Sequence, residues 1–309
     1  MARTLLTIGE CMVEFAPATK DGLFQRGFAG DTFNTAWHFQ RHAGRKWQAS
    51  FLTAIGDDAM SVAMQQFIVD ANIDISHVQV LPGRNCGLYT ISLESAERTF
   101  AYWRGQSAAK HLADDHLALT AAINAESEIY VSGITLAILN ASARKVLISA
   151  LSQAKSMGKS VTFDPNIRMR LWANSIEAKT AITAAAKAST RVMPSFGDEQ
   201  MLFGDTSPEA TIKRYQNLGA SEIIVKDGAN STLILSAGFT AEVPAIRVKK
   251  PVDTTGAGDA FNAGYLAGRL NGLSAVTSAK YGHAIAADVI KGRGALVPSK
   301  AELQDFRNA

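Results

Sequence analysis

One feature limits the fold more than any other: from residue 114 onward, helix-like and strand-like stretches alternate regularly. Helix 114–125 precedes strand Glu128–Val131. Helix 142–157, closed by Gly158, precedes strand Ser160–Asp164. Helix 177–188 precedes strand Val192–Pro194, and helix 207–218, ending at Gly219, precedes strand Glu222–Lys226. Two strands about Gly238, Ser231–Leu235 and Thr240–Val243, lead to helices 258–270 and 274–290. Such alternation predicts an α/β chain with a mostly parallel sheet covered on both faces. The first half opens the same way. Thr4–Gly9 and Ser50–Ala54 read as strands, and Asp31–Ala43 and Ala59–Ala71 as helices. Ligands of such sheets gather at the carboxyl ends of the strands. That directs attention to Gly9, Gly133, Asp164, Pro194, Lys226 and the loop at 253–259.

Two segments break the rhythm. Residues 11–30 carry short alternating runs, Met12–Phe15 and Gly22–Phe28. In residues 86–104, Leu88–Leu93 and Arg98–Trp103 alternate with period two around Ser95-Ala-Glu97, which predicts a β-hairpin. Both segments are placed to pair into a small separate sheet, although no spacing requires it. An apolar strand such as Leu88–Leu93 offers an edge on which a homo-oligomer could pair, though edges can be covered in other ways.

Composition excludes several classes. The 309 residues allow one large domain or two smaller ones, with a core in either case. A net charge of +3 and no long basic run give no electrostatic case for nucleic acid or a membrane surface. Cys11 and Cys86 fit neither a disulfide framework nor a four-ligand zinc site, so reduced thiols in a cytoplasm are expected. The opening apolar run is too short for a signal peptide. No window approaches the ~20 apolar residues of a membrane span.

The most informative string is Asp253-Thr-Thr-Gly-Ala-Gly-Asp259, which opens a helix. Gly256 and Gly258 free the backbone, and the N–H groups of 256–258 fall at a helix start. Unpaired donors and the positive end of the helix dipole make an anion site there. Asp259 adds like charge to that site, which points to a proton acceptor for an attacking hydroxyl. The bland alternative is helix capping by Thr254, Thr255 or Asp259. A dinucleotide-binding oxidoreductase is excluded, because no G-x-G-x-x-G follows the first strand.

The string resembles the C-terminal signature of the ribokinase-like (PfkB) carbohydrate kinases, and the likeness extends along the chain. Gly9-Glu10, Gly30-Asp31-Thr-Phe-Asn34-Thr-Ala36 and Val225-Lys226-Asp227-Gly228 resemble the family's first strand end, sugar-binding motif and nucleotide-binding strand end. The resemblance implies one kinase domain over residues 1–309, with a three-layer α/β/α core and a small β-sheet lid from about 11–30 and 86–104. It implies ATP and Mg²⁺, and in some members a monovalent cation such as K⁺. Carried onto this chain, Asp259 is the base, and Gly256, Ala257 and Gly258 form the anion hole. Asn166, Ser195, Lys226, Asp227 and Gly228 line the nucleotide with Gly256 and Gly258, and Asp253 and Thr255 hold the monovalent cation. The family's Asn-x-x-Glu, tied to Mg²⁺, is replaced by Ser195-Phe-Gly-Asp198, which leaves Asp198 as the metal candidate.

Two arginines near the site suggest an acidic sugar, although each alone reads as well as a surface ion pair. Arg104 ends the hairpin and Arg168 follows a core strand, and a guanidinium fork suits a carboxylate. Ser132-Gly-Ile134, Tyr102-Trp-Arg104 and the run Asp164 to Trp172 resemble the bacterial 2-keto-3-deoxygluconate kinases of uronic acid breakdown. That likeness implies sugar contacts at Gly30, Asn34, Tyr89, Tyr102, Arg104, Arg168 and Asp259; Asp31, beside Asn34, suits a sugar hydroxyl, with helix capping as the alternative. The implied reaction gives the 6-phosphate and ADP. A kinase for a neutral sugar such as fructose or ribose stays open, as does a silent sugar- or nucleotide-binding regulator on the same fold. The latter would be expected to have lost Asp259 or a cradle glycine. Arg293-Gly-Ala295 lacks an acid that some members carry there.

Overall fold

Leu5, Leu6 and Ile8 are fully buried although they are close neighbours in one strand. A strand buried on both faces belongs inside a parallel sheet, and the computed structural model places it there. It describes residues 3–18, 20, 22–94 and 97–307. Met1, Ala2, Thr19, Asp21, Ser95, Ala96, Asn308 and Ala309 lie outside the described residues.

In chain order, β1 (Arg3–Ile8), β2 (Met12–Pro17) and β3 (Phe24–Ala29) lead to α1 (Asp31–His42). Then come β4 (Trp47–Ile55), α2 (Ala59–Asp70), β5 (Val78–Val80), β6 (Gly87–Glu94) and β7 (Glu97–Trp103). Next are α3 (His116–Ala125), β8 (Glu128–Ser132), α4 (Gly133–Ile138), α5 (Ala141–Ser156) and β9 (Ser160–Asp164). After these are α6 (Ser175–Lys187), β10 (Arg191–Val192), α7 (Phe196–Phe203), α8 (Pro208–Asn217) and β11 (Glu222–Val225). The hairpin of β12 (Thr232–Ser236) and β13 (Phe239–Val243) precedes α9 (Ala257–Leu270) and α10 (Ala275–Val289).

Among the described residues, nine strands form the main sheet in the order β13-β12-β11-β10-β9-β8-β1-β4-β5. Pairing is parallel from β5 to β11 and antiparallel beyond it. Period-two alternation sorts the side chains into two cores. Leu6, Ile8, Ile129 and Val131 face one core, with Leu119, Leu147 and Ile182 of α3, α5 and α6. Leu5 and Tyr130 face the other, with Phe33 and Phe39 of α1 and Phe261 and Tyr265 of α9.

The interrupted segments form a second sheet, β3-β2-β6-β7. β2 pairs antiparallel with β3 and parallel with β6, and β6–β7 is the expected hairpin, with Tyr89 opposite Tyr102. Two details depart from expectation. The strand expected over Val192–Pro194 is reduced to Arg191–Val192, because the chain turns into α7 soon after it. The edge strand β5 and helices α4 and α7 carry too few periodic residues to stand out in the sequence.

Candidate active site

The carboxyl ends of the parallel strands and the small sheet enclose a cavity of ≈ 410 Å³. Asp164, Lys226 and the head of α9 contribute from the core, and Tyr89, Tyr102 and Arg104 from the small sheet. Two glycines are required by this geometry. A Cβ on Gly30 would lie 1.9 Å from the carbonyl oxygen of Glu10. Gly256 has φ +74°, and its Cβ would lie 2.6 Å from that of Ala295. Both conformation and space therefore exclude a side chain at 256.

Asp259 lies in the first turn of α9, half-buried on the cavity wall. Asn34 Nδ2 donates to its Oδ2 at 2.8 Å, and Asn34 Oδ1 accepts from the Gly30 N–H at 3.3 Å. Burial and the neighbouring Asp31 push the Asp259 carboxyl up to about 7, against the pull of the Asn34 hydrogen bond. Asp164 adds to the rise and Lys226 opposes it. A carboxyl tuned this way is suited to exchange a proton near neutral pH. Beside it, the Ala257 N–H donates to Thr254 O at 3.2 Å. The N–H groups of Gly256 and Gly258 have no partner among the described residues. Two donors of the expected cradle are thus open to an anion.

Behind Asp259 lies a polar network. Lys226 Nζ donates to Asp164 Oδ2 at 2.9 Å and to Asn262 Oδ1 at 3.0 Å. Asn262 Nδ2 donates to Asp164 Oδ2 at 2.6 Å and to the Tyr130 hydroxyl at 2.9 Å. Asn262 and Tyr130 were not singled out from the sequence. Asn262 could have been, since it follows Asp259 by three positions on the same helix face.

The remaining candidates divide. Gly30, Asp31, Asn34, Tyr89, Tyr102, Arg104, Asn166, Arg168, Ser195 and Thr255 all line the cavity. Asn166 donates to Asp31 at 2.8 Å, which ties it to the head of α1. Burial raises the Asp31 carboxyl above its ordinary range. The Tyr89 hydroxyl donates to Glu14, and burial followed by that carboxylate raises the phenol well above its usual value. The Tyr89 ring stacks on Tyr102, with centroids 5.6 Å apart. Asp227 and Gly228 do not line the cavity, and Asp227 accepts from Asn230 at 3.0 Å. Asp253 accepts from Thr255 Oγ1 at 2.8 Å and from the Gly294 N–H at 2.5 Å.

Both arginines named from the sequence have acidic partners. Arg104 is paired with Glu10, which also accepts from the Ser107 hydroxyl. Arg168 is paired with Asp198 at 3.2 Å, and Asp198 also accepts from the Ile167 N–H. Glu10 lies two residues past the end of β1, but a pairing across 94 residues leaves no local signal. Among the described residues no group of three or more His, Cys, Asp or Glu could hold a metal ion. That donor set suits a Mg²⁺ bound chiefly by nucleotide phosphates and water.

The profile of the pfkB family carbohydrate kinases matches residues 2–302. The 2-dehydro-3-deoxygluconokinase of Escherichia coli (strain K12) is 39% identical over 97% of this chain and 99% of its own length. That of Dickeya dadantii (strain 3937) is 37% identical over 97% and 98%. A crystal structure of a putative Ribokinase II from E. coli, in complex with ATP and Mg²⁺, superposes with a TM-score of 0.84 at 23% identity, covering 100% of this chain and 98% of that one. The α/β chain read from the alternation of strands and helices and the ribokinase-like fold implied by the resemblance are therefore both present, and the chain belongs to the pfkB family of carbohydrate kinases.

Proposed function

We propose that the protein transfers the γ-phosphoryl group of ATP to the C6 hydroxyl of 2-keto-3-deoxygluconate, giving 2-keto-3-deoxy-6-phosphogluconate and ADP. One observation carries the reading. A carboxyl raised to about 7 and steadied by Asn34 stands at a helix start with open N–H groups. Asp259 takes the proton of the C6 hydroxyl as its oxygen attacks phosphorus. The N–H groups at Gly256 and Gly258, with Ala257 in the same turn, hold the charge on the transferring group. The identity of the sugar acid is drawn from the two relatives of that name.

In this reading Gly30, Asp31, Asn34, Tyr89, Tyr102, Arg104 and Arg168 hold the sugar. Asn166, Ser195, Lys226, Asp227 and Gly228 serve the nucleotide. Mg²⁺, when bound, would neutralise the β- and γ-phosphates, with Asp198 as the candidate protein ligand, and Asp253 and Thr255 are offered to a monovalent cation such as K⁺. Segments 11–30 and 86–104 act as the lid of one kinase domain over 1–309. The exposed Phe24 and Trp103 of the small sheet, with Leu23 just before β3, support pairing into a homo-oligomer. Among the described residues no helix is long and apolar enough to cross a membrane. We place the enzyme in the cytoplasm, where ATP and reduced thiols are found.

The competing reading is a kinase for a neutral sugar such as fructose. The ion pairs of Arg104 and Arg168 favour it, since both arginines are already neutralised. A screen of ATP consumption over keto-sugar acids and neutral sugars decides between them. Faster turnover of fructose or ribose would overturn the sugar-acid reading.

A further inference from the structure

Four cationic side chains line the cavity: Arg104, Arg168, Arg170 and Lys226. Lys226 is engaged by Asp164, Arg104 by Glu10 and Arg168 by Asp198. Each pair is close to neutral, so none of the three gives the cavity a net charge that separates an anionic ligand from a neutral one. Arg170 has no carboxylate partner among the described residues. Its guanidinium carbon lies 4.3 Å from the centre of the Tyr102 ring. A guanidinium against a ring face keeps its N–H edge available for hydrogen bonds. Arg170 belongs to a 3-10 turn of the core, Met169–Leu171, and Tyr102 belongs to β7 of the small sheet. The contact therefore spans the cavity wall from core to small sheet.

We infer that Arg170, steadied by Tyr102, is the residue that selects a carboxylate-bearing sugar over a neutral one. The inference rests on the sugar-acid reading above. It resolves the difficulty that the ion pairs create there. Arg104 and Arg168 keep N–H donors for hydroxyl and carbonyl oxygens, while Arg170 supplies a cation with no carboxylate partner among the described residues. Its fork can meet both carboxylate oxygens at once, which a lysine ammonium cannot match.

The test compares wild type, Arg170→Met and Arg170→Lys on two substrates. One is 2-keto-3-deoxygluconate. The other is 3-deoxyfructose, the same carbon chain with a hydroxymethyl group in place of the carboxylate. Arg170→Met is expected to lower kcat/KM for the acid about 10- to 100-fold, mainly through KM, as loss of a charge-assisted bond requires. Turnover of 3-deoxyfructose is expected to stay within about twofold, since no charged group is lost there. Arg170→Lys should fall between wild type and Arg170→Met on the acid. Arg170 is exposed, so both variants should keep the wild-type melting temperature and KM for ATP. Equal losses on both sugars would show a merely structural brace and overturn the inference. So would an unchanged kcat/KM for the acid. If wild type itself prefers 3-deoxyfructose, the sugar-acid reading fails and this inference falls with it. The two failures are distinct, because one is read in wild type and the other only in the variants.

Discussion

The environment of Asp259 sets a pH dependence that can be worked out in advance. A proton acceptor works only when ionised. With the carboxyl at about 7, about nine-tenths of the free enzyme is active near pH 8 and about one-tenth near pH 6. The sign is that of an acid limb: kcat/KM falls as pH falls, by about tenfold between those values. The assay is kcat/KM for the sugar with ATP held well below its own KM, so that the profile reports the free enzyme. Asp31→Asn supplies the control. After burial, the Asp31 charge is the largest cause raising Asp259, and the amide oxygen can still accept from Asn166. Removing that charge should move the limb to lower pH. A limb that arose from ionisation of ATP would not move. A profile flat between about pH 6 and about pH 8, or a limb unchanged in Asp31→Asn, would refute the assignment of Asp259 as the titrating base.

Three further outcomes are expected. Asp259→Asn should lower kcat by ~10²–10⁴ while equilibrium binding of ATP persists, and near-normal turnover would remove Asp259 from the chemistry. Gly256→Ala places a Cβ at φ +74° and 2.6 Å from Ala295 Cβ. It should destabilise the fold by roughly 1–2 kcal/mol or more in urea unfolding and also lower kcat, because the N–H cradle must shift. Glu10→Ala leaves Arg104 without its partner. A loss of about 3 kcal/mol is expected, the low end for a broken buried pair, because Arg104 borders the cavity and water can reach it. An unchanged unfolding midpoint would show that the pair contributes nothing.

Much of this was legible in one dimension, for physical reasons. The helix starting at Asp31 and the hairpin within 86–104 carry strong periodicity, and α9 is announced by its glycines. The paired strands of 11–30 were visible only as interrupted alternation. α7 was missed because it has eight residues and a glycine at 197. The site divides in the same way. Asp259, Asn34 and Gly30 lie in motifs whose residue types declare their chemistry, and the structure brings them together. The arginines were visible as residues, but their state was not. Glu10 and Asp198 partner them through contacts that only the fold creates. Arg170 stood inside a quoted motif, and its lack of an acidic partner emerges only once those pairs are in place.

The most direct test of the central claim is to incubate the wild-type protein with ATP, Mg²⁺ and 2-keto-3-deoxygluconate and to locate phosphorus on the product by proton–phosphorus correlation NMR. The predicted result is a phosphate coupled to the C6 protons, formed with a higher kcat/KM than any product from fructose or ribose. Phosphate on another carbon, no phosphorylated acid, or a faster reaction with either neutral sugar would contradict it.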